Sequence, residues 1–297
     1  MNETPTLKWK LIAWFSDVLM PPTQSIDLQL ARKSMRDNSR TPVLSGSHPK
    51  FASVIDGRVA GVAVRHYVPA DAKPGRVVYF HGGGWVTGDL DSHDSPVRGL
   101  AAATQREVVA VDYRLAPEHR FPAAFEDCVA VTKALAADQR VVVAGDSAGG
   151  NLAATVANRF AKEGLPLVAQ VLVYPVTDAA MNRPSYERYA KGHLLSADTM
   201  RFFWDSYVPE LARRNEPEAS PLLAPSLKGV APAYVLLAQC DVLRDEGREY
   251  AKKLQADGVE TLLDEVPGTI HGFFSLQGLS EAKEARTRIA QWLAPRW

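Results

Sequence analysis

The chain has 297 residues, of which 46% are hydrophobic and 23% charged, and its 34 lysines and arginines balance 34 aspartates and glutamates. Such a composition belongs to a packed globular protein and excludes a disordered, collagen-like or low-complexity chain. With zero net charge there is no overall field to hold nucleic acid or an anionic membrane surface, so the expected partner is a small uncharged molecule.

Near the start, Leu11–Phe15 is apolar behind Lys8 and Lys10, the beginning of a signal-peptide pattern. Asp17 interrupts it, Pro21-Pro22 ends it, and no small-residue cleavage site follows. Residues 5–20 are therefore expected to form an amphipathic helix packed on the body of the protein. Polar, irregular sequence continues to residue 50. No stretch of about 18 uncharged apolar residues occurs, so no membrane span is expected. Two cysteines, Cys128 and Cys240, lie 112 positions apart without metal-ligand spacing and read as free thiols of a cytoplasmic protein.

Phe51–Ile55 and Val59–Tyr67, separated by Asp56-Gly57, read as a β-hairpin, so the sheet should begin with antiparallel strands. A different grammar follows. Short apolar runs at Val77–Phe80, Val108–Tyr113, Val141–Ala144, Ala169–Tyr174, Tyr234–Ala238 and Thr261–Val266 predict strands. Helical patterns at Ser95–Thr104, Pro122–Ala137, Ala148–Lys162, Asp245–Ala256 and Ser280–Leu293 lie between and after them. Strands alternating with helices imply a mostly parallel sheet with helices on both faces. Residues 178–228 break the alternation with aromatic and turn residues and no clear strand. Length alone suggests two domains. The element pattern instead predicts one α/β domain over 1–297, with residues 1–45 and 178–228 forming a helical cap.

The sharpest motif is Gly145-Asp146-Ser147-Ala148-Gly149, which directly follows a predicted strand and opens a predicted helix. That context is a nucleophile elbow, in which a strained strand-to-helix turn presents the serine beside the positive end of the helix dipole. The alternative is a plain glycine-rich turn with a capping serine. A serine hydroxyl needs a base, and the base needs an orienting carboxylate. Of seven histidines, His48, His66, His93, His119 and His193 read as surface or structural residues. His271 lies in a glycine-flanked loop after the last predicted strand, where a base can reach over the strand ends. For the carboxylate, Asp241 directly follows a buried strand; Asp178 ends the preceding one and is the competing candidate. Asp245 and Glu246 read as acids opening the next helix. Behind the first central strand, His81-Gly82-Gly83-Gly84-Trp85 strips side chains from a loop whose N–H groups can face a ligand oxygen. Neither a P-loop nor a dinucleotide-binding spacing is present.

Together these stretches resemble the hormone-sensitive-lipase-like branch of the α/β-hydrolases, bacterial esterases in particular. The matching segments are His81–Trp85, Asp112–Glu118, Gly145–Asn151, Cys240–Gly247 and His271–Phe273, in the family's order over nearly the whole chain. Asp146 marks the Asp-bearing subgroup. The resemblance implies an α/β-hydrolase fold with Ser147 as nucleophile, His271 as base and Asp241 as acid. It also implies oxyanion donors at the backbone of Gly83, Gly84 and Ala148, with His81 structural. Val242 departs from the family, which usually has proline there.

The implied activity is hydrolysis of short-acyl carboxylic esters through an acyl-enzyme, without metal or organic cofactor. Trp85, Phe202, Trp204, Tyr207 and Phe273 are the expected lining of a substrate pocket, with ordinary cap-to-body packing as the competing reading. Amide or carbamate substrates stay open, whereas a non-catalytic receptor on this fold would typically lack a triad member. Cys240 reads as a buried strand-end thiol rather than a reactive one. A homodimer contact through the N-terminal helix or an edge strand stays open as well.

Overall fold

The computed structural model describes residues 3–19, 23–39 and 50–297. His48, Pro21-Pro22 and residues 40–45 of the expected cap lie outside them. Eight strands form one sheet: β1 (Phe51–Val59), β2 (Val62–Pro69), β3 (Lys73–Phe80), β4 (Arg106–Asp112), β5 (Val141–Asp146), β6 (Ala169–Val173), β7 (Ala233–Cys240) and β8 (Thr261–Ile270). Their order is β1-β2-β4-β3-β5-β6-β7-β8. β1, β2 and β4 pair antiparallel, and every other neighbour is parallel. All residues of β5, β6 and β7 are buried, which is why they read as continuous apolar runs.

The hairpin forms, but its turn is Ala60-Gly61, closed by the Val59–Val62 pair, and not Asp56-Gly57. Both turn residues have positive φ, 49° and 82°. Asp56-Gly57 lies inside the exposed edge strand, where Asp56 accepts from Arg65 directly opposite at 2.5 Å. β8 runs four residues beyond the predicted Val266, through Pro267 and Gly268, to Ile270. β8 is an edge strand, so Pro267 can be tolerated there, and the ladder is irregular between Ala238 and Cys240.

Crossovers are α3 (Asp94–Thr104) between β3 and β4, α4 (Ala123–Ala136) between β4 and β5, α5 (Ala148–Lys162) between β5 and β6, and α8 (Arg244–Ala256) between β7 and β8; α9 (Ser280–Leu293) follows the sheet. α3 packs on α9 and α4 on α5. The insertion carries α6 (Pro184–Arg188), α7 (Ala197–Tyr207) and two 3-10 turns, and no strand. Ser196 caps α7, its Oγ accepting the Thr199 N–H at 3.0 Å.

Ahead of the sheet come α1 (Leu7–Leu19) and α2 (Leu28–Ser39). α1 docks through buried Trp9 and Ala13, while Leu7, Leu11, Trp14 and Phe15 stay exposed. The arm reaches both body and insertion. Arg32 of α2 donates to Val86 O at 2.9 Å and to Glu118 at 2.8 Å, and Thr199 Oγ1 of α7 donates to Gln24 at 3.1 Å. Among the described residues no helix is long and apolar enough to cross a membrane.

The sheet order changes direction between β3 and β5, which are hydrogen-bonded neighbours. Loops leaving the C-terminal ends of such strands diverge and open a crevice. The glycine loop follows β3 and the Gly145–Gly149 turn follows β5, so topology alone brings the two strongest motifs together.

Candidate active site

Ser147 sits between β5 and α5 with φ 55° and ψ −117°, a conformation costly for a non-glycine residue and held here by its surroundings. Its N–H donates to Val173 O at 2.8 Å, and its carbonyl accepts the Asn151 N–H at 3.0 Å as α5 begins. The turn is so tight that a Cβ at Gly149 would lie 2.0 Å from Phe80 O, which explains the glycine there.

His271, in the loop after β8, comes back over the strand ends. Its Nε2 lies 3.0 Å from Ser147 Oγ and its Nδ1 2.6 Å from Asp241 Oδ2. With Nδ1 protonated toward the carboxylate, Nε2 is free to accept the serine proton. The other oxygen of Asp241, Oδ1, accepts the Leu243 N–H at 3.0 Å. Asp241 is fully buried, whereas Ser147 and His271 retain a small exposure. The Tyr174 ring packs 4.5 Å from the imidazole. Asp178 is engaged elsewhere, with Arg183 and the Ala180 N–H, so Asp241 is the carboxylate that meets His271. Val242 is buried, and its carbonyl accepts Ser185 Oγ at 2.6 Å, which ties the turn behind Asp241 to the insertion.

Gly83 and Gly84 follow β3. Their N–H groups have no acceptor among the described residues. Ala148 is the first residue of α5, so its N–H has no intrahelical acceptor either. Three backbone donors on the two loops that follow β3 and β5 are thus without an acceptor among the described residues. His81 is buried and its Nδ1 lies 2.7 Å from Gly82 O, while its ring stacks on Tyr113 at 4.2 Å. Burial, reinforced by neighbouring His93, pushes the His81 pKa down to about 4, so it is neutral at physiological pH.

The aromatic set divides. Trp85, Trp204, Tyr207 and Phe273 are completely buried, and only Phe202 of the five expected pocket residues keeps partial exposure. Trp85 stacks on Tyr207 at 4.5 Å and tilts against Trp204 at 4.9 Å; Phe273 packs edge-on with Trp9 and Tyr174. In this structure those four join the insertion and α1 to the body rather than line an open pocket.

Sequence reading did not assign Tyr79, His93, Asp146 or Glu246 a place around the site. Asp146 and His93 are buried next to the glycine loop. Glu246, expected as a helix-opening acid, is buried, and its Oε1 accepts the N–H groups of Thr177 at 2.6 Å and Asp178 at 3.3 Å. Nothing in the local sequence signals partners that far along the chain. Cys240 is buried, which pushes its thiol up to about 11. Among the described residues no three His, Cys, Asp or Glu side chains group as metal ligands.

A family model described as the alpha/beta hydrolase fold matches residues 77–275. The chain is similar to the ethyl acetate hydrolase of Pseudomonas putida, 37% identical over 92% of this chain and 91% of that protein. It is also similar to the esterase LipI of Mycobacterium tuberculosis, 38% identical over 90% and 88%. Among solved structures, the hyperthermophilic esterase of the archaeon Pyrobaculum calidifontis matches with a TM-score of 0.93 at 34% identity, covering 98% of each chain.

Proposed function

The chain belongs to the hormone-sensitive-lipase-like branch of the α/β-hydrolases, a family of carboxylic ester hydrolases, and we propose that it is a serine esterase for short-acyl substrates. The observation that carries this reading is the continuous hydrogen-bond chain from Asp241 through His271 to Ser147. His271 takes the Ser147 proton as Oγ attacks the ester carbonyl. The N–H groups of Gly83, Gly84 and Ala148 receive the oxyanion. His271 then protonates the departing alcohol, and water repeats the cycle to release the acid. Asp241 holds the imidazole tautomer and stabilises its charged form. An oxyanion donor of this type is typically worth about 10²–10³ in rate.

Short acyl chains are supported by the relative named for ethyl acetate. The packing agrees, because Trp85, Trp204 and Tyr207 already fill the space between the glycine loop and the insertion. Residues 1–45 and 178–228 act as a cap, a role supported by the contacts from Arg32 to Glu118 and from Thr199 to Gln24.

The test is an ester panel on wild type and Ser147→Ala. Wild-type kcat/KM should be higher on p-nitrophenyl acetate through hexanoate than on C12 or longer esters, and Ser147→Ala should lose turnover on all of them. An optimum at C12 or above would refute the short-acyl assignment, and a fully active Ser147→Ala would refute the nucleophile.

A further inference from the structure

The oxyanion donors assigned above come from two separate segments. Gly83 and Gly84 follow β3, and Ala148 follows β5. Both must approach one oxygen to about 2.7–3.1 Å at once, so the spacing between the segments is a catalytic variable. The ladder joining β3 to β5 ends at Phe80 and Gly145. Beyond that pair, backbone pairing no longer sets the distance.

Asp146 bridges the gap. It is the residue between the last β5 position paired with β3 and the nucleophile, and its side chain turns toward the β3 side. Oδ1 accepts the Gly82 N–H at 3.0 Å and the Tyr79 hydroxyl at 2.7 Å. Oδ2 lies 3.6 Å from His93 Nε2, which accepts the same Gly82 N–H at the longer distance of 3.2 Å, so Asp146 is the nearer and charged one of two acceptors. The contact is close enough that a Cβ on Gly82 would come within 2.5 Å of Oδ2. His93 is itself held, its Nδ1 lying 3.1 Å from Ser92 Oγ. Asp146 is nearly inaccessible and has no role in the proton transfers. Burial alone would raise its pKa. Nearby His93 and the Tyr79 hydroxyl outweigh burial and keep the carboxyl below its ordinary range, so it stays ionised. A charged acceptor binds N–H donors roughly twice as strongly as a neutral one.

We propose that Asp146 is a positioning residue for catalysis, fixing the Gly82 N–H so that the Gly83–Gly84 donors and the Ala148 donor keep a single spacing around the oxyanion. This rests on the oxyanion assignment of the preceding section. The geometry predicts a defect in transition-state binding with substrate binding preserved. A merely structural role would instead lower the fraction of folded protein and leave the properties of the folded fraction unchanged.

The experiment compares wild type, Asp146→Ala, Asp146→Asn and Ser147→Ala, each normalised to folded enzyme. Readouts are kcat and KM on p-nitrophenyl butyrate and Ki for an alkyl trifluoromethyl ketone, whose carbonyl adds the serine oxygen to give a hemiketal oxyanion. Asp146→Ala should lower kcat about 10²-fold with KM within about threefold, and Ki should weaken in step. Asp146→Asn retains an acceptor for the Gly82 N–H and should recover most of the loss, to within about tenfold of wild type. If Asp146→Ala does not fold, the Asn variant decides, because its fall in kcat/KM must be matched by its rise in Ki. A full kcat in Asp146→Ala, or a kcat loss with unchanged Ki, would overturn the proposal. Equal Ki in wild type and Ser147→Ala would instead overturn the nucleophile assignment beneath it.

Discussion

The ring of Phe203, on α7, lies against Gly84 so closely that a Cβ built on Gly84 would fall 2.2 Å from it. A helix of the insertion thus rests directly on the loop that supplies two of the proposed oxyanion donors. Gly84 also has φ 62°, a conformation that L side chains adopt at a cost. Gly84→Ala should lower kcat by about 10² or more, as loss of an oxyanion donor does. Truncating the ring in a Gly84→Ala, Phe203→Ala double variant should restore part of that loss, leaving the backbone cost. A double-mutant cycle on kcat/KM measures this coupling; strict additivity would mean that α7 does not bear on the loop.

Asp241 meets His271 at 2.6 Å while fully buried. An amide at this position can offer the imidazole its NH2 and favour the wrong tautomer, leaving Nε2 protonated and unable to accept from Ser147. Asp241→Asn should therefore lower kcat on the order of 10³–10⁴-fold with KM changed only a few-fold. Steady-state kinetics on p-nitrophenyl butyrate provide the check. A variant with near-wild-type kcat would point to another carboxylate, Asp178 first.

Burial pushes the Glu246 carboxyl from 4.5 up to about 8. Between those values the folded chain keeps a proton that the unfolded chain releases. Its contribution to stability is complete below about pH 4.5, declines as pH rises, and is lost once pH passes about 8. Glu246→Gln keeps an acceptor for the Thr177 and Asp178 N–H groups and cannot ionise. Its Tm relative to wild type should rise by several degrees between pH 5 and pH 9, since each pKa unit is worth about 1.4 kcal/mol. A Tm difference that stays constant with pH would contradict the assignment.

The sequence revealed the fold where a single physical cause dominated. Strands buried on both faces, such as Val141–Ala144 and Tyr234–Ala238, could only be apolar runs, and the strand-to-helix turn at Ser147 announced itself through the glycines that its backbone contacts demand. Errors came where two causes competed. Asp56-Gly57 has the composition of a turn, yet Asp56 is held in the strand opposite Arg65, and the chain reverses at Ala60-Gly61. The predicted strand ends at Val266, whereas the observed edge strand continues through Pro267, which an edge position tolerates. The site divides along the same line. Ser147, His271 and Asp241 are bound to motifs and strand ends, whereas the partnership of Asp146 with Gly82 spans 64 positions and that of Glu246 with Thr177 spans 69. Such pairs exist only once the sheet order has been set. Aromatic identity likewise did not distinguish Phe202, which keeps some exposure, from Trp204, which is fully buried two positions along the same helix.

The most direct measurement is covalent capture of the nucleophile. Diethyl p-nitrophenyl phosphate should release about one equivalent of p-nitrophenol per chain while ester turnover is lost in parallel. Intact mass should rise by one diethylphosphoryl group, and peptide mapping should place it on Ser147. Adduct on another residue, or ester turnover that survives stoichiometric modification of Ser147, would contradict nucleophilic catalysis at this serine.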